Sequence, residues 1–525
     1  MNSRLLQSDN FYYGLFAVLL VPALLINLGA HHIFIHTDES LRALIALEML
    51  LNDEFIAPTV NGLYYYNKPP LYNWIIVGSY KLFGEPSLFA LRFPVVVAIF
   101  LYGFLIVRFI GKATNRWTGW LVAIMTITSG RILFYDSFLG LIDIAFSAVI
   151  FTNFMLFYHL GRQKRYFALF ALTYFLSAIA YLMKGLPPIV FQGFTIIAFA
   201  IYIKNWKILF HRMHFLGALF FIIPVGLYYF AYMQVNAQSI LNLFETLWTE
   251  SSKRTVTDHG ILDTLKSLYE FPLENLYHFA PWTIFVVFLF RRGALKSLWR
   301  DVFGRYVVLV FGLNILVYWT SPGVHPRYLF MFLPLLFVLL AKAEESATGR
   351  SVTIVQMILM AIMIPGALAP WFAVSQITEL GVDGALIKMA VLSLVMAVIA
   401  VVFYRQRRRR WIILGIFLLV VRIGFDWFVL PNRDLKGAGY ADAALEVARI
   451  TEGKPLYIAG PNYVHSATSF MIERERGEVL ELRSEIEPGA FYLAKEGFKM
   501  ENADSLLTFG TRGTDLKLIL YRMNE

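Results

Sequence analysis

The twenty residues from Phe11 to Ala30, FYYGLFAVLLVPALLINLGA, carry no charge. As a helix rising 1.5 Å per residue they reach ~30 Å, the thickness of a bilayer's hydrocarbon core. The run is too long for the apolar centre of a signal peptide, and no small-residue cleavage site follows it, so it is expected to stay as a first membrane span. Similar runs recur outward from it, at roughly 88–109, 117–131, 141–160, 166–183, 186–203, 213–232, 276–290, 306–320, 327–341, 353–372, 384–404 and 411–430. The chain therefore reads as an all-α polytopic membrane protein of about thirteen spans.

Composition agrees with that reading. Of 525 residues, 58% are apolar and 16% charged, against roughly 25% charged in soluble proteins, which excludes an ordinary soluble enzyme. The net charge of +10 belongs to loops and implies no nucleic-acid partner. The absence of cysteine excludes disulfides, thiolate metal sites and cysteine nucleophiles.

Loop charges orient the chain. With the N-terminus inside, the cytoplasmic connections hold twenty Lys and Arg residues, including Arg162, Lys164, Arg165, Lys204, Lys207, Arg212 and the run from Arg407 to Arg410. The short connections on the other side hold three, Arg131, Lys184 and Arg327. Because basic loops stay in the cytoplasm, the C-terminus is expected outside.

Two outside connections are long. The first, 31–87, carries Leu41, Leu44, Ile45, Leu47 and Leu51 at helical spacing and a second apolar stretch from Leu71 to Phe83; both are expected along the membrane surface. The other, 231–275, is polar at its centre and is expected to be a mobile lid. Beyond Leu430 the composition changes: residues 431–525 carry a net −3 where 1–430 carry +13. A transmembrane domain, 1–430, and a small soluble α/β domain, 431–525, are expected. Within the latter a helix is read near Tyr440 to Ile450, with strands at Leu456–Ala459, Val479–Leu482, Phe491–Leu493 and Leu516–Tyr521.

Ionisable residues near a bilayer are expensive and are functional candidates for that reason. Here they share the outer face: Asp38, Glu39, Lys68, Arg131, Asp136, Asp143, Lys184, Arg254, His259, His325 and Arg327. Each has a plainer reading. Asp38 can cap the helix after it and pair with Arg42, while Lys68 and the arginines can anchor at the interface. Lys184 is followed by Gly185-Leu186-Pro187-Pro188, a break at which a lysine faces a cavity rather than lipid. His31, His32 and His36 are spaced so that two can share a metal, though interfacial histidines without that role are commoner. One carboxylate base with several cations suits displacement at the anomeric carbon of a sugar on a lipid phosphate. The base takes the acceptor's proton, and cations, alone or with a divalent ion, hold the leaving phosphate.

The first outside loop, Thr37-Asp38-Glu39-Ser40, Asn52-Asp53-Glu54-Phe55, Pro58, Asn61-Gly62 and Tyr64-Tyr65-Tyr66-Asn67-Lys68-Pro69-Pro70, resembles that of bacterial aminoarabinose (lipid A) transferases. These stand with the protein O-mannosyltransferases among GT-C membrane glycosyltransferases that use polyprenyl-phosphate sugars. Arg131, Asp136 and Asp143, then Met183-Lys184-Gly185, then His325-Pro326-Arg327-Tyr328-Leu329 resemble later motifs in the same order. The resemblance implies that Asp38 is the main catalytic carboxylate, with Glu39 beside it and Asp143 a second acid. It implies that Lys68, Arg131, Lys184 and Arg327 bind the donor phosphate. Arg254 and His259 would lie in a substrate loop, where the match is looser and the metal requirement stays open. Asn67 stands where the aminoarabinose transferases usually carry Glu, so that acid's contact has no counterpart here. A polyprenyl-phosphate donor, an envelope acceptor (glycolipid, protein or glycan) and a bacterial inner-membrane location follow as expectations. A transporter or lipid flippase, and a non-catalytic glycolipid-binding scaffold, are the alternatives.

Overall fold

The computed structural model describes residues 8–31, 37–236, 240–252, 256–347, 349–372, 384–437, 439–511 and 516–524. Among them, nine helices are long and apolar enough to cross a membrane, from Leu88–Ala113 to Arg410–Phe428. A tenth crossing is broken: Arg116–Ile127 and Gly130–Phe138 meet at a 48° bend. Two shorter apolar helices, Asp9–Leu25 and Pro187–Ile203, fall where spans were expected. The expected span at 276–290 differs. Its apolar residues form a nine-residue 3-10 helix, Trp282–Phe290, of ~18 Å, with Trp282, Phe285 and Phe288 buried.

In chain order the elements that matter for the site are α1 (Asp9–Leu25), α2 (Thr37–Leu51), the short antiparallel pair β1 (Thr59–Val60) and β2 (Leu63–Tyr64), α3 (Leu71–Phe83), α4 (Leu88–Ala113), α5 (Arg116–Ile127), α6 (Gly130–Phe134), α7 (Asp143–Arg162), α8 (Tyr166–Lys184), α9 (Pro187–Ile203) and α10 (Arg212–Val235). Small residues let neighbouring helices approach closely. Thus a Cβ on Gly119 of α5 would come within 2.9 Å of backbone in α4.

The connection 231–275, expected as a loop, is mostly helical: α10 runs on to Val235, and α11 (Ile240–Ser252) and α12 (Val256–His278) follow. Leu243 and Leu247, four apart on one face of α11, are buried, which is the spacing a packed helix needs. Nor does α2 lie open on a surface. Ala43 to Leu47 are all buried, and so are its polar residues Glu39, Ser40, Arg42 and Glu48.

The cover over α2 comes from the C-terminal region. There a mixed five-stranded sheet has the order β4-β3-β5-β7-β6, with β3 (Leu456–Ala459), β4 (Leu482–Arg483), β5 (Phe491–Lys495), β6 (Ala503–Gly510) and β7 (Lys517–Met523). β3 lies parallel to β4 and β5, whereas β7 is antiparallel to β5 and β6. A helix unforeseen in the sequence, Ser466–Arg476, packs on α2. Asn61 ties the two parts: its Nδ2 donates to Ser469 Oγ at 3.0 Å and to the Leu480 carbonyl at 3.1 Å, and its own carbonyl accepts from Leu482 N. The buried apolar core runs without a break from the membrane helices into this region.

Candidate active site

Helix polarity brings the candidate residues together. α7 and α8 form an antiparallel pair, so Asp143, at the start of one, meets Lys184, at the end of the other, with Nζ 2.5 Å from Oδ1. A 3-10 turn, Pro326–Phe332, leads into the helix Leu333–Glu345 and points Arg327 into the same place. Its NH2 donates to Asp38 Oδ2 at 2.5 Å, and its Nε lies 3.5 Å from Asp143 Oδ2. Arg327 therefore bridges the two carboxylates.

Asp38, Arg42, Lys68, Leu141, Ile142, Asp143, Lys184, Arg327 and Tyr328 line one pocket, with about 10 Å³ free, room for about one water. Two acids and four cations thus share a space closed by their own ion pairs. The Lys184 ammonium also sits 4.0 Å from the Tyr328 ring centre, a cation–π contact. Exposure separates the two acids: the Asp38 side chain is 39% exposed, that of Asp143 5%. Asp38 is within reach of an incoming group, whereas Asp143 is held between two cations.

Lys68 follows β2 and precedes Pro69-Pro70, whose fixed backbone sets its direction. Burial, reinforced by the nearby Arg42 and Lys184 charges and opposed by Asp38 and Asp143, pushes its ammonium down to about 7. It is poised to bind an anion and to take up a proton in doing so.

Arg131 and Glu39 lie off the pocket wall. Arg131 donates from Nε to Asp136 Oδ2 at 2.6 Å and stands beside the Tyr135 ring. Glu39, expected beside Asp38 at the site, is fully buried and turned away. Its Oε1 accepts from Arg92 Nε at 2.7 Å and from Gly140 N at 2.8 Å, and its Oε2 from Arg92 NH2 at 3.2 Å. Arg92 NH1 in turn donates to the Leu28 and Ala30 carbonyls. This clamp fastens the start of α2 to α4 and to the end of α1, holding Asp38 in place from behind.

Arg254 lies outside the described residues, as do His32, His36 and the side chain of His259. Among the described residues, no three His, Asp or Glu side chains are grouped to hold a metal ion. His31 donates from its backbone N to Asp434 Oδ1. At the pocket, both carboxylates face cations of the protein itself.

Sequence reasoning missed Arg42 and Tyr328 as pocket residues. Arg42 had a reading as the i, i+4 partner of Asp38, but NH1 donates to Asn73 Oδ1 at 3.0 Å and NH2 to the Tyr65 hydroxyl at 3.4 Å. The signal available was its burial on a helix whose neighbouring loop already carried a phosphate-seeking lysine.

Over nearly its whole length the chain shares the fold of a membrane protein known from crystal structures. Residues 67–229 match the family described as dolichyl-phosphate-mannose-protein mannosyltransferase. The ArnT of Cupriavidus metallidurans, in its crystal structure bound to undecaprenyl phosphate, superposes with a TM-score of 0.74 over 98% of both chains at 15% identity. Its apo form superposes with a TM-score of 0.69 over 97% of both chains at 17% identity. An uncharacterized protein of Aquifex aeolicus is 24% identical over 57% of this chain and 59% of its own length. The undecaprenyl phosphate-alpha-4-amino-4-deoxy-L-arabinose arabinosyl transferase of Pseudomonas savastanoi is 43% identical over 70 residues, 13% of each chain. The chain thus spans about three-fifths of one curated relative and a short stretch of the other. The resemblance read from the outside-loop motifs extends to the whole fold.

Proposed function

We infer that the protein is a membrane glycosyltransferase that moves a sugar from a polyprenyl-phosphate donor to an envelope acceptor. The observation that carries this is the pocket, in which one reachable carboxylate, Asp38, stands among Arg42, Lys68, Lys184 and Arg327. The charge balance of the loops supports placing it on the outer face of the cytoplasmic membrane, with the N-terminus inside. On this reading 1–430 carry the reaction, and 431–525 roof the first outside loop, 31–87.

The chemistry follows from partner exchange. A lipid phosphate entering the pocket competes with Asp38 for Arg327 and with Asp143 for Lys184, because a phosphate accepts from both cations at once. Losing Arg327 frees Asp38 to accept the proton of the acceptor hydroxyl as its oxygen bonds the anomeric carbon. The electrons of the breaking bond leave on the phosphate oxygen, where Lys68, Lys184, Arg42 and Arg327 stabilise the charge. No general acid is needed for a leaving group already held by cations. Asp143 keeps Arg327 placed throughout, and α11 and α12 close over the acceptor.

The test uses purified protein in lipid, radiolabelled polyprenyl-phosphate sugars and envelope extract. Wild type should transfer label, and folded Asp38→Asn should lose at least about a thousandfold, the scale on which a general base acts. Equal transfer by both would remove Asp38 as base. Donor binding with no transfer from any sugar would favour the scaffold. Movement of donor across the bilayer without transfer would favour the flippase. Activity after chelation decides whether a divalent ion takes part.

A further inference from the structure

A second hollow runs along the helices, from Ile189 near the start of α9 to Leu209 and His214 at the far end. α8 packs along both α9 and α10, but α9 and α10 scarcely touch each other. Between them is a crevice of about 400 Å³, lined by Tyr174, Ser177, Gln192, Gly193, His214 and Phe221, among others. Its volume is within the range of small-molecule sites. Most of its wall is apolar, as a lipid-facing crevice requires, but its floor is not. Ser177 and Gln192 are buried there, and the Tyr174 hydroxyl meets His214 Nε2 at 2.5 Å while His214 Nδ1 faces the Leu209 carbonyl at 2.7 Å. Ser177 and Gln192 are joined to Asn153 and Thr173 by hydrogen bonds that tie α7, α8 and α9 together, so the floor is fixed and the apolar wall is the part left open to an acyl chain.

The mouth is basic. A neighbouring hollow of about 450 Å³ is lined by Lys164, Arg165, Tyr166, Phe167, His211 and Met213. His211 and His214 stand three residues apart at the start of α10, one at each hollow. Arg162, Lys164, Arg165, Lys204, Lys207 and Arg212 surround this end, and no acid occurs in 160–170 or 200–216. Trp206 and Phe210, exposed in the 3-10 turn between α9 and α10, fix the depth, because such rings settle at headgroup level. The basic hollow is then at the headgroups and the crevice among the acyl chains.

We propose that this seam between α8, α9 and α10 is a binding site for an anionic glycerophospholipid, its phosphate at Lys164, Arg165 and His211 and an acyl chain in the crevice. The donor phosphate is not the occupant: Lys184 lies at the far end of the 19-residue α8, ~28 Å away. That the lipid comes from the cytoplasmic leaflet rests on the orientation given above; the selectivity for negative charge does not.

Gly193 supplies the test, because a side chain there meets open space. Gly193→Leu obstructs the crevice without removing a charge, and its Cβ meets no neighbour. The full-length protein is placed in phosphatidylcholine nanodiscs containing a minor share of phosphatidylglycerol, and the lipids it retains are counted by native mass spectrometry. Wild type should keep one phosphatidylglycerol that Gly193→Leu loses. Lys164→Gln and Arg165→Gln should each lower its retention about fivefold, the equivalent of ~1 kcal/mol per basic residue at an anionic surface. Arg407→Gln and Arg408→Gln, equally basic and distant in the chain, should not. Unchanged retention in Gly193→Leu, or equal loss in the Arg407 and Arg408 variants, overturns the site. The leaflet is read separately, by labelling Gln163→Cys in this cysteine-free chain from each side of sealed vesicles. Labelling from outside refutes the orientation and leaves the lipid measurement intact.

Discussion

Asp38 and Glu39 are adjacent in sequence and opposite in role, and the difference is one of solvent. Asp38 is partly exposed and paired with Arg327, whereas Glu39 is sealed against Arg92. Removing one partner of a buried pair strands the other's charge. Glu39→Gln should therefore destabilise the fold by about 3–5 kcal/mol, seen as a lower melting temperature, with donor affinity retained in whatever fraction stays folded. Lys68 carries a different signature. Its ammonium titrates near 7 in the free protein, and an anion in the pocket favours the charged form. Above that value, donor binding must take up a proton, so affinity for undecaprenyl phosphate should fall by up to about tenfold per pH unit. Lys68→Arg, charged at every accessible pH, should flatten that slope, and binding isotherms between pH 6 and 9 decide it. The convergence of Asp38, Lys68, Asp143, Lys184 and Arg327 was legible from motifs in order on one face. The outward turn of Glu39 was not, because a one-residue step along a helix rotates a side chain by about 100°, and no pattern says which of two neighbours meets the cavity.

At the level of elements, hydropathy located nearly every membrane helix because twenty apolar residues have few other uses. It failed where length and composition were right but the backbone was not: 276–290 became a short 3-10 helix after Pro281. β6 escaped notice for a different reason. It is an edge strand with most of its residues at least partly exposed, so neither face carries the alternation that marks a strand. In α11 and α12 apolar residues lie on exposed as well as buried faces, Leu241, Ile261 and Leu262 among the exposed, which blurred the period that Leu243 and Leu247 keep. Helix contact is also where a small change should matter most. Gly119→Leu would drive a side chain into the α4 backbone. A loss of about 1–3 kcal/mol or more is expected, measured as reduced yield and thermal stability, while Gly14→Leu, facing open space in α1, should be neutral.

On the scale of the whole molecule, two carboxyl groups removed from water flank the place where Asn61 joins the first outside loop to Ser469 and Glu473 of the C-terminal region. Glu48 accepts from Thr59 Oγ1, Asn61 N and Gly62 N, and Glu473 accepts from Leu480 N. Burial raises both above the ordinary carboxylate range, and the Glu48 charge raises Glu473 further. A carboxyl whose folded value lies above its unfolded one binds protons more readily in the native state. Its contribution is therefore complete below the unfolded value and is lost as pH rises through the folded one. The attachment should loosen on going from mildly acidic to alkaline conditions, with amide exchange quickening in 466–482. Glu473→Gln, neutral throughout, should weaken that dependence, leaving the part that Glu48 contributes.

The same attachment sets a timetable. Asn61 and its partner Ser469 are separated by 408 positions in the chain, which a ribosome adding about 5–20 residues per second covers in ~20–80 s. For that interval α2 stands at the membrane without its roof, its apolar stretch from Ala43 to Leu47 open to any holdase or protease. Arg327, 289 positions after Asp38, joins its partner carboxylate partway through that interval, so the pocket's ion pairs can form before the cover over α2 arrives.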